Sequence, residues 1–224
     1  MKMKSTLLLL FAIAISVNVI AQFGTEQIIS TNTKEATSVY SADIDGDGDM
    51  DVLSASWKDD KVAWYENTDG KGSFGSQQII ATSADGPDCV RAFDLDGDGD
   101  IDVLSSSYYD NKIAWYENTD GKGNFSAEKV ITTNMIYGSW VYASDLDGDG
   151  DLDVLSASID DDKIAWYENT DGQGNFGQQQ IIANPDAPNN VIAADIDNDG
   201  DMDILFDSAN GDNIAWCENT DGKG

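Results

Sequence analysis

The chain has 224 residues, 41% of them apolar, with 42 acidic side chains against 12 basic ones, a formal charge of −30. That imbalance excludes a nucleic-acid backbone or an anionic lipid surface as a partner. Six Trp, eight Tyr and regular strand-like runs exclude a disordered acidic tail, so the charge calls for a divalent cation.

The first predicted element is a signal peptide over residues 1–21. Lys2 and Lys4 give a basic start, Leu7 to Ile15 an apolar core, and Val19-Ile20-Ala21 a small-residue cleavage site. The expected location is secreted or cell-surface. No later segment is apolar enough to insert into a membrane once the signal is cleaved.

From there one unit repeats four times, over about 23–73, 74–124, 125–175 and 176–224. Phe23, Phe74, Phe125 and Phe176 open the units, and Trp64-Tyr65-Glu66-Asn67-Thr68-Asp69-Gly70 recurs from Trp115, Trp166 and Trp216. A period near 50 residues points to propeller blades. Each unit reads as four short strands. In the first they are Gln27 to Ile29, Ser38 to Ile44, Asp51 to Trp57 and Val62 to Asn67, closed by turn residues. In the last strand Val62 and Trp64 point to one face, Ala63 and Tyr65 to the other, and both faces are apolar. Such a sheet must be covered on both sides, as a blade between two blades is. The expected fold is therefore all-β: a propeller of four-stranded antiparallel blades, either a four-blade ring or a partial arc of a larger one. The stop at Gly224, in mid-turn, favours the arc.

Between the second and third strands lies an acidic loop: Asp43, Asp45, Asp47, Asp49 and Asp51 alternate with Ile44, Gly46, Gly48 and Met50. Carboxylates at positions one, three, five and nine converge if the backbone turns sharply at the position-six glycine, with position seven adding its carbonyl. Hard oxygen donors in so short a loop suit Ca²⁺. Ile44 and Met50 should tuck beneath the loop. The pattern recurs at Asp94, Asp96, Asp98, Asp100 and Asp102; at Asp145, Asp147, Asp149, Asp151 and Asp153; and at Asp195, Asp197, Asp199, Asp201 and Asp203, where Asn198 replaces the first glycine. Four calcium ions, one per repeat, are expected. An EF-hand shares the opening spacing but needs a Glu at position twelve. That position is Ser54, Ser105, Ser156 or Phe206.

The acidic loop followed by a strand, the Phe-Gly pairs at 23–24, 74–75 and 176–177, and the period together resemble FG-GAP/VCBS repeats. These are the blades of the integrin α-subunit propeller and of many bacterial surface proteins. The resemblance covers nearly all of residues 23–224. It implies structural metals, a ligand face on the ring and usually seven blades, of which four repeats are present.

No catalytic constellation is visible, and an enzyme is not expected. With no histidine there is no Ser-His-Asp or Cys-His pair. Glu66, Glu117, Glu168 and Glu218 could supply a glycosidase pair, but each occupies the same repeat position, as a structural residue does. Cys89 and Cys217 fall at unrelated repeat positions and should not pair. Residues that break the repeat, Trp57, Tyr108, Tyr109 and Trp140, either pack between blades or present rings to a ligand. The readings are an adhesion or protein-binding scaffold, a lectin-like carbohydrate binder resembling some fungal lectins, or a non-catalytic module of a larger secreted enzyme. In each, a protein or glycan ligand sits on a propeller face.

Overall fold

The computed structural model describes residues 23–224, so the signal peptide falls outside the described residues. The structure is built of four antiparallel sheets. Blade 1 contains β1 (Ala36–Ala42), β2 (Asp51–Ser56), β3 (Lys61–Tyr65) and β4 (Gln78–Ala81). Blade 2 contains β5 (Pro87–Phe93), β6 (Asp102–Ser107), β7 (Lys112–Tyr116) and β8 (Lys129–Thr132). Blade 3 contains β9 (Gly138–Ser144), β10 (Asp153–Ser158), β11 (Lys163–Tyr167) and β12 (Gln180–Ala183). Blade 4 has three strands, β13 (Val191–Ala194), β14 (Asp203–Ser208) and β15 (Asn213–Cys217). No helix among the described residues is long and apolar enough to cross a membrane.

Strands follow one another as simple meanders, so each blade is hydrogen-bonded in sequence order. The first strands pack in series, β1 on β5, β5 on β9 and β9 on β13. The demand for cover on both faces is met inside the arc: Val62, Ala63, Trp64 and Tyr65 are all buried, as are Ile113, Ala114, Trp115 and Tyr116. Three apolar cores result, each lying between consecutive blades.

One sequence expectation changes: the blade is offset from the sequence unit. The Gln78–Ala81 segment, expected to open the second unit, is the outer strand of blade 1, with Trp64 opposite Gln78. Phe74 likewise bridges back to Asn67 within blade 1. Gln27 to Ile29, with no blade before it, forms no strand, and Ile28 and Phe23 are exposed. Of the two expected forms, ring and arc, the described residues take the arc. The Val39 side chain is 70% exposed, whereas Val90, Val141 and Val191 at the same position are fully buried against the preceding blade. The structure is an arc. Cys89 and Cys217 are both free, as expected.

Candidate metal centre

The acidic loops join the first and second strands of each blade, so all four lie at one end of the arc. The turns after β2 and β6, which carry Trp57, Tyr108 and Tyr109, lie at the other end. Each loop is shaped by its own amides. Gly48 donates its N–H to Asp43 Oδ2 at 3.0 Å, and Asp49 donates to Asp47 Oδ1 at 2.9 Å. The same bonds recur in the second loop, from Gly99 to Asp94 and from Asp100 to Asp98.

The carboxylates that meet come from positions one, three and nine. In Asp43, Asp45 and Asp51, in Asp94, Asp96 and Asp102, and in Asp145, Asp147 and Asp153, one oxygen per residue lies within 4.8 Å of the others. In the fourth loop the group is instead Asp195, Asp197 and Asp199, all exposed. Asp47, Asp98 and Asp149 at position five stand at the exposed rim of their loops. Asp49, Asp100 and Asp151 at position seven lie against the hairpin of their own blade. There an added Cβ on Gly70, Gly121 or Gly172 would overlap the carboxylate. Gly70 has φ +60°, the left-handed conformation that glycine adopts freely.

Position nine does two jobs. Asp51 is fully buried, and its carboxylate accepts the Ile44 N–H at 3.0 Å and the Asn67 N–H at 2.7 Å. It thereby ties the loop to the end of β3. Asp102, Asp153 and Asp203 repeat both bonds. Burial pushes Asp102 and Asp153 up to about 7, against the lowering pull of those amides. At position three, desolvation and neighbouring carboxylates raise Asp45, Asp96 and Asp147.

A second set of residues supports the site and was not singled out from the sequence. Asn118 Nδ2 donates to the Ile44 carbonyl of the preceding blade's loop at 2.8 Å, and also to Ile101 O at 3.2 Å. Asn169 reaches Leu95 O at 2.9 Å and Asn219 reaches Leu146 O at 2.8 Å. The recurrence of Asn in Glu-Asn-Thr-Asp-Gly was the available signal. Each of the first three loops is thus clamped by its own hairpin on one side and the next blade's on the other.

Met50 does not tuck beneath its loop. Ile44 is 1% exposed but Met50 is 60% exposed. Position two faces the following blade and position eight the preceding one, where Ile101 and Leu152 find cover and Met50 has none.

The residues fit a hard cation. In loops 1 and 2, Asp43 Oδ1 and Asp94 Oδ1 are buried with no hydrogen-bond partner. A buried carboxylate oxygen left bare beside two other carboxylates is costly unless a cation satisfies it. All donors are oxygens, with no His or Cys among them, which favours Ca²⁺ or Mg²⁺ over zinc.

At the opposite end the repeat-breaking aromatics come together. Trp57 lies 4.8 Å from Tyr108 and 5.1 Å from Tyr109, and Tyr108 stacks on Tyr137 at 4.1 Å between ring centres. Trp140 is elsewhere, beneath the Arg91 guanidinium at 4.0 Å.

The model of the FG-GAP-like repeat family matches residues 43–105, 94–156 and 145–206. A comparison with curated protein sequences finds no match. Among solved structures, an Agrocybe aegerita lectin described as recognising non-reducing terminal N-acetylglucosamine is similar over 82% of this chain and 52% of that one, at 21% identity and a TM-score of 0.55. BBS1N, solved in complex with ARL6DN, is similar over 82% of this chain and 56% of that one, at 10% identity and a TM-score of 0.54. The chain spans about half the length of these structures. At such identities the likeness is one of fold.

Proposed function

The chain belongs to the FG-GAP-like repeat family, and on that premise we propose that it is an exported, calcium-stabilised propeller scaffold that binds a protein or glycan partner and performs no catalysis. The observation that carries the calcium reading is the bare, buried Asp43 Oδ1 and Asp94 Oδ1 beside two further carboxylates. Asp43, Asp45 and Asp51 would hold the first ion, Asp94, Asp96 and Asp102 the second, and Asp145, Asp147 and Asp153 the third. Asp195, Asp197 and Asp199 would hold a fourth. Bound calcium supplies positive charge that cancels repulsion among the carboxylates. The chain's own residues do the rest: the position-nine aspartate fixes the loop to its blade, and the following blade's asparagine holds it from the far side. Export rests on the basic, apolar and small-residue stretches of residues 1–21. The non-catalytic reading rests on the absence of histidine and of any asymmetric acid–base pair.

Calcium titration followed by mass spectrometry under native conditions tests this directly. Three or more ions per chain, with Mg²⁺ a poor substitute, is the expected result. Fewer than three would defeat the reading.

A glycan is the second candidate for the partner. It is favoured by the aromatic group at the end opposite the metal loops, where Tyr109 is 56% exposed, since sugars stack on such rings. Glycan-array binding that disappears in Tyr109→Ala would select it. A silent array together with capture of a defined protein partner would select the protein reading.

A further inference from the structure

The end of the arc opposite the metal loops breaks the repeat in two neighbouring places. The first is the aromatic row. Trp57, Tyr108 and Tyr109 pack on one another, and Tyr108 stacks on Tyr137 of the segment entering blade 3. At the Tyr108 position blades 3 and 4 carry Ile159 and Ala209. Gly86 lies against the row, since a Cβ added there would overlap the Tyr109 ring. The rings are therefore held in place before any ligand arrives.

The second break is Asp88. The first strands of blades 1, 2 and 3 each contain an irregular step in their pairing, at Thr37, Asp88 and Ser139. In blades 1 and 3 the residue at the step is a hydroxyl that ties two blades together. Thr37 Oγ1 donates to the Pro87 carbonyl of blade 2 at 2.8 Å, and Ser139 Oγ donates to the Asn189 carbonyl, in the segment entering blade 4, at 3.1 Å. In blade 2 the same place holds a carboxylate, which has no proton to donate. Asp88 is partly buried, and burial alone pushes its carboxyl up, with no hydrogen bond or charge partner to offset it. A carboxylate drawn out of water without a donor is costly. The lysines of this end are already engaged: Lys58 with Glu35, Lys61 with Asp59, Lys112 with Asp110 and Glu128, and Lys163 with Asp161. A second carboxylate, the exposed Asp160, lies near the same rings. Burial and then Asp160, with a smaller part from Asp88, push the Tyr108 phenol up, so both carboxylates act on one ring. The backbones of this end bond to one another, Tyr108 N–H to Gly86 O at 3.0 Å and Ile159 N–H to Tyr137 O at 3.1 Å, and offer a polypeptide no strand edge.

We propose that Asp88 and the row of Trp57, Tyr109, Tyr108 and Tyr137 together bind an amino sugar, its ring against the exposed Tyr109 and its ammonium group donating to Asp88. The proposal rests on the glycan reading above and names the class of glycan. A sugar ring lays its C–H face on an aromatic ring, and a primary ammonium carries three donors, which matches exposed π surface beside an unpaired acceptor. The ring faces and Asp160 attract the same positive charge. A neutral sugar would satisfy the rings and leave Asp88 bare, and an acidic sugar would be repelled by both carboxylates.

Isothermal titration calorimetry in calcium, with a glucosamine oligosaccharide and with the N-acetylated form of the same oligosaccharide, tests it. Physiological salt screens diffuse attraction to so acidic a chain. The amine form should bind more tightly by about tenfold or more, the size of one hydrogen bond to a charged group. Asp88→Ser gives blade 2 the hydroxyl that blades 1 and 3 have at the same step. It should erase the preference for the amine and leave the melting temperature at or above that of the parent. Tyr109→Ala should weaken both sugars. Equal binding of the two sugars would overturn the proposal and leave the glycan reading standing, whereas binding of neither would remove both. A preference that survives Asp88→Ser would also overturn it. So would a melting temperature well below the parent's in that variant, which would make Asp88 a structural residue. A lysine-rich peptide that binds in place of either sugar, and is lost in Asp88→Ser, would assign the ammonium to a polypeptide and overturn the amino-sugar assignment.

Discussion

Blades 2 and 4 are copies of the same repeat in different surroundings. Trp115 is 1% exposed and Trp216 is 42% exposed; Ile113 is buried and Ile214 is open. The loops diverge in the same way. In blade 2 the triad is Asp94, Asp96 and Asp102, partly covered by the hairpin of blade 3. In blade 4 it is Asp195, Asp197 and Asp199, exposed, with no hairpin above it. A repeat of this kind does not own its core or its metal site. Each is completed by a neighbour, and stability is shared between units rather than contained in them.

The largest effect that can break this comparison is metal loading. If the next blade completes each loop, the first three loops should bind calcium more tightly than the fourth. Titration should show three ions entering before the last. A ligand that binds only the folded state stabilises it by about 2.7 kcal/mol per site at a hundredfold excess over its dissociation constant. For a chain of this size that is a rise on the order of 5–10 °C per filled loop. Asp102→Asn should remove one of the early ions and Asp195→Asn the late one, both read by mass spectrometry. Four indistinguishable affinities would break the comparison.

Next in size is the indole pair. Trp115→Ala should cost about 3–5 kcal/mol in urea unfolding, the usual range for a fully packed aromatic. Trp216→Ala should cost less than about 1 kcal/mol, since much of its ring is already in water.

Much of this was legible in the sequence. The repeat, the blade architecture and the positions of all four acidic loops follow from spacing, because periodic apolar and acidic residues have few other uses. What was not legible was which unit touches which. Alternation in Val62 to Tyr65 says that both faces are covered, but it does not say that Gln78 belongs to the blade of Trp64. Position eight reads the same at Met50 and Ile101, yet only Ile101 has a blade to meet. Asn118 was not singled out because its partner, the Ile44 carbonyl, is 74 residues away. Local pattern encodes the unit, while the offset between unit and blade is a property of packing.

The asparagine clamp sharpens the comparison on a finer scale. Asn118 and Asn67 make the same bond within their own blade, to Ile101 O and Met50 O, but only Asn118 also holds a neighbouring loop. Asn118→Ala should therefore be more destabilising than Asn67→Ala by about one buried hydrogen bond, 0.5–1.5 kcal/mol. It should also weaken calcium binding in loop 1, the loop it clamps, and leave the ion in its own loop largely undisturbed. Equal losses from the two substitutions would mean that the inter-blade bond contributes nothing.

The smallest effect isolates geometry from chemistry. Met50 and Ile101 occupy position eight of their loops, between carboxylates at positions seven and nine. Ile101 packs on the core between blades 1 and 2, and Met50 has no blade on its side. Met50→Ala should lie within about 0.5 kcal/mol of the parent, as exposed substitutions do. Ile101→Ala removes partly buried methylene groups, each contributing about 0.8 kcal/mol when fully covered, so a loss of about 1–2 kcal/mol is expected. If position eight mattered through the loop itself, by shaping the backbone around the ion, the two substitutions would weaken calcium binding alike and differ little in stability. If it matters through the neighbouring blade, stability separates them while calcium affinity does not.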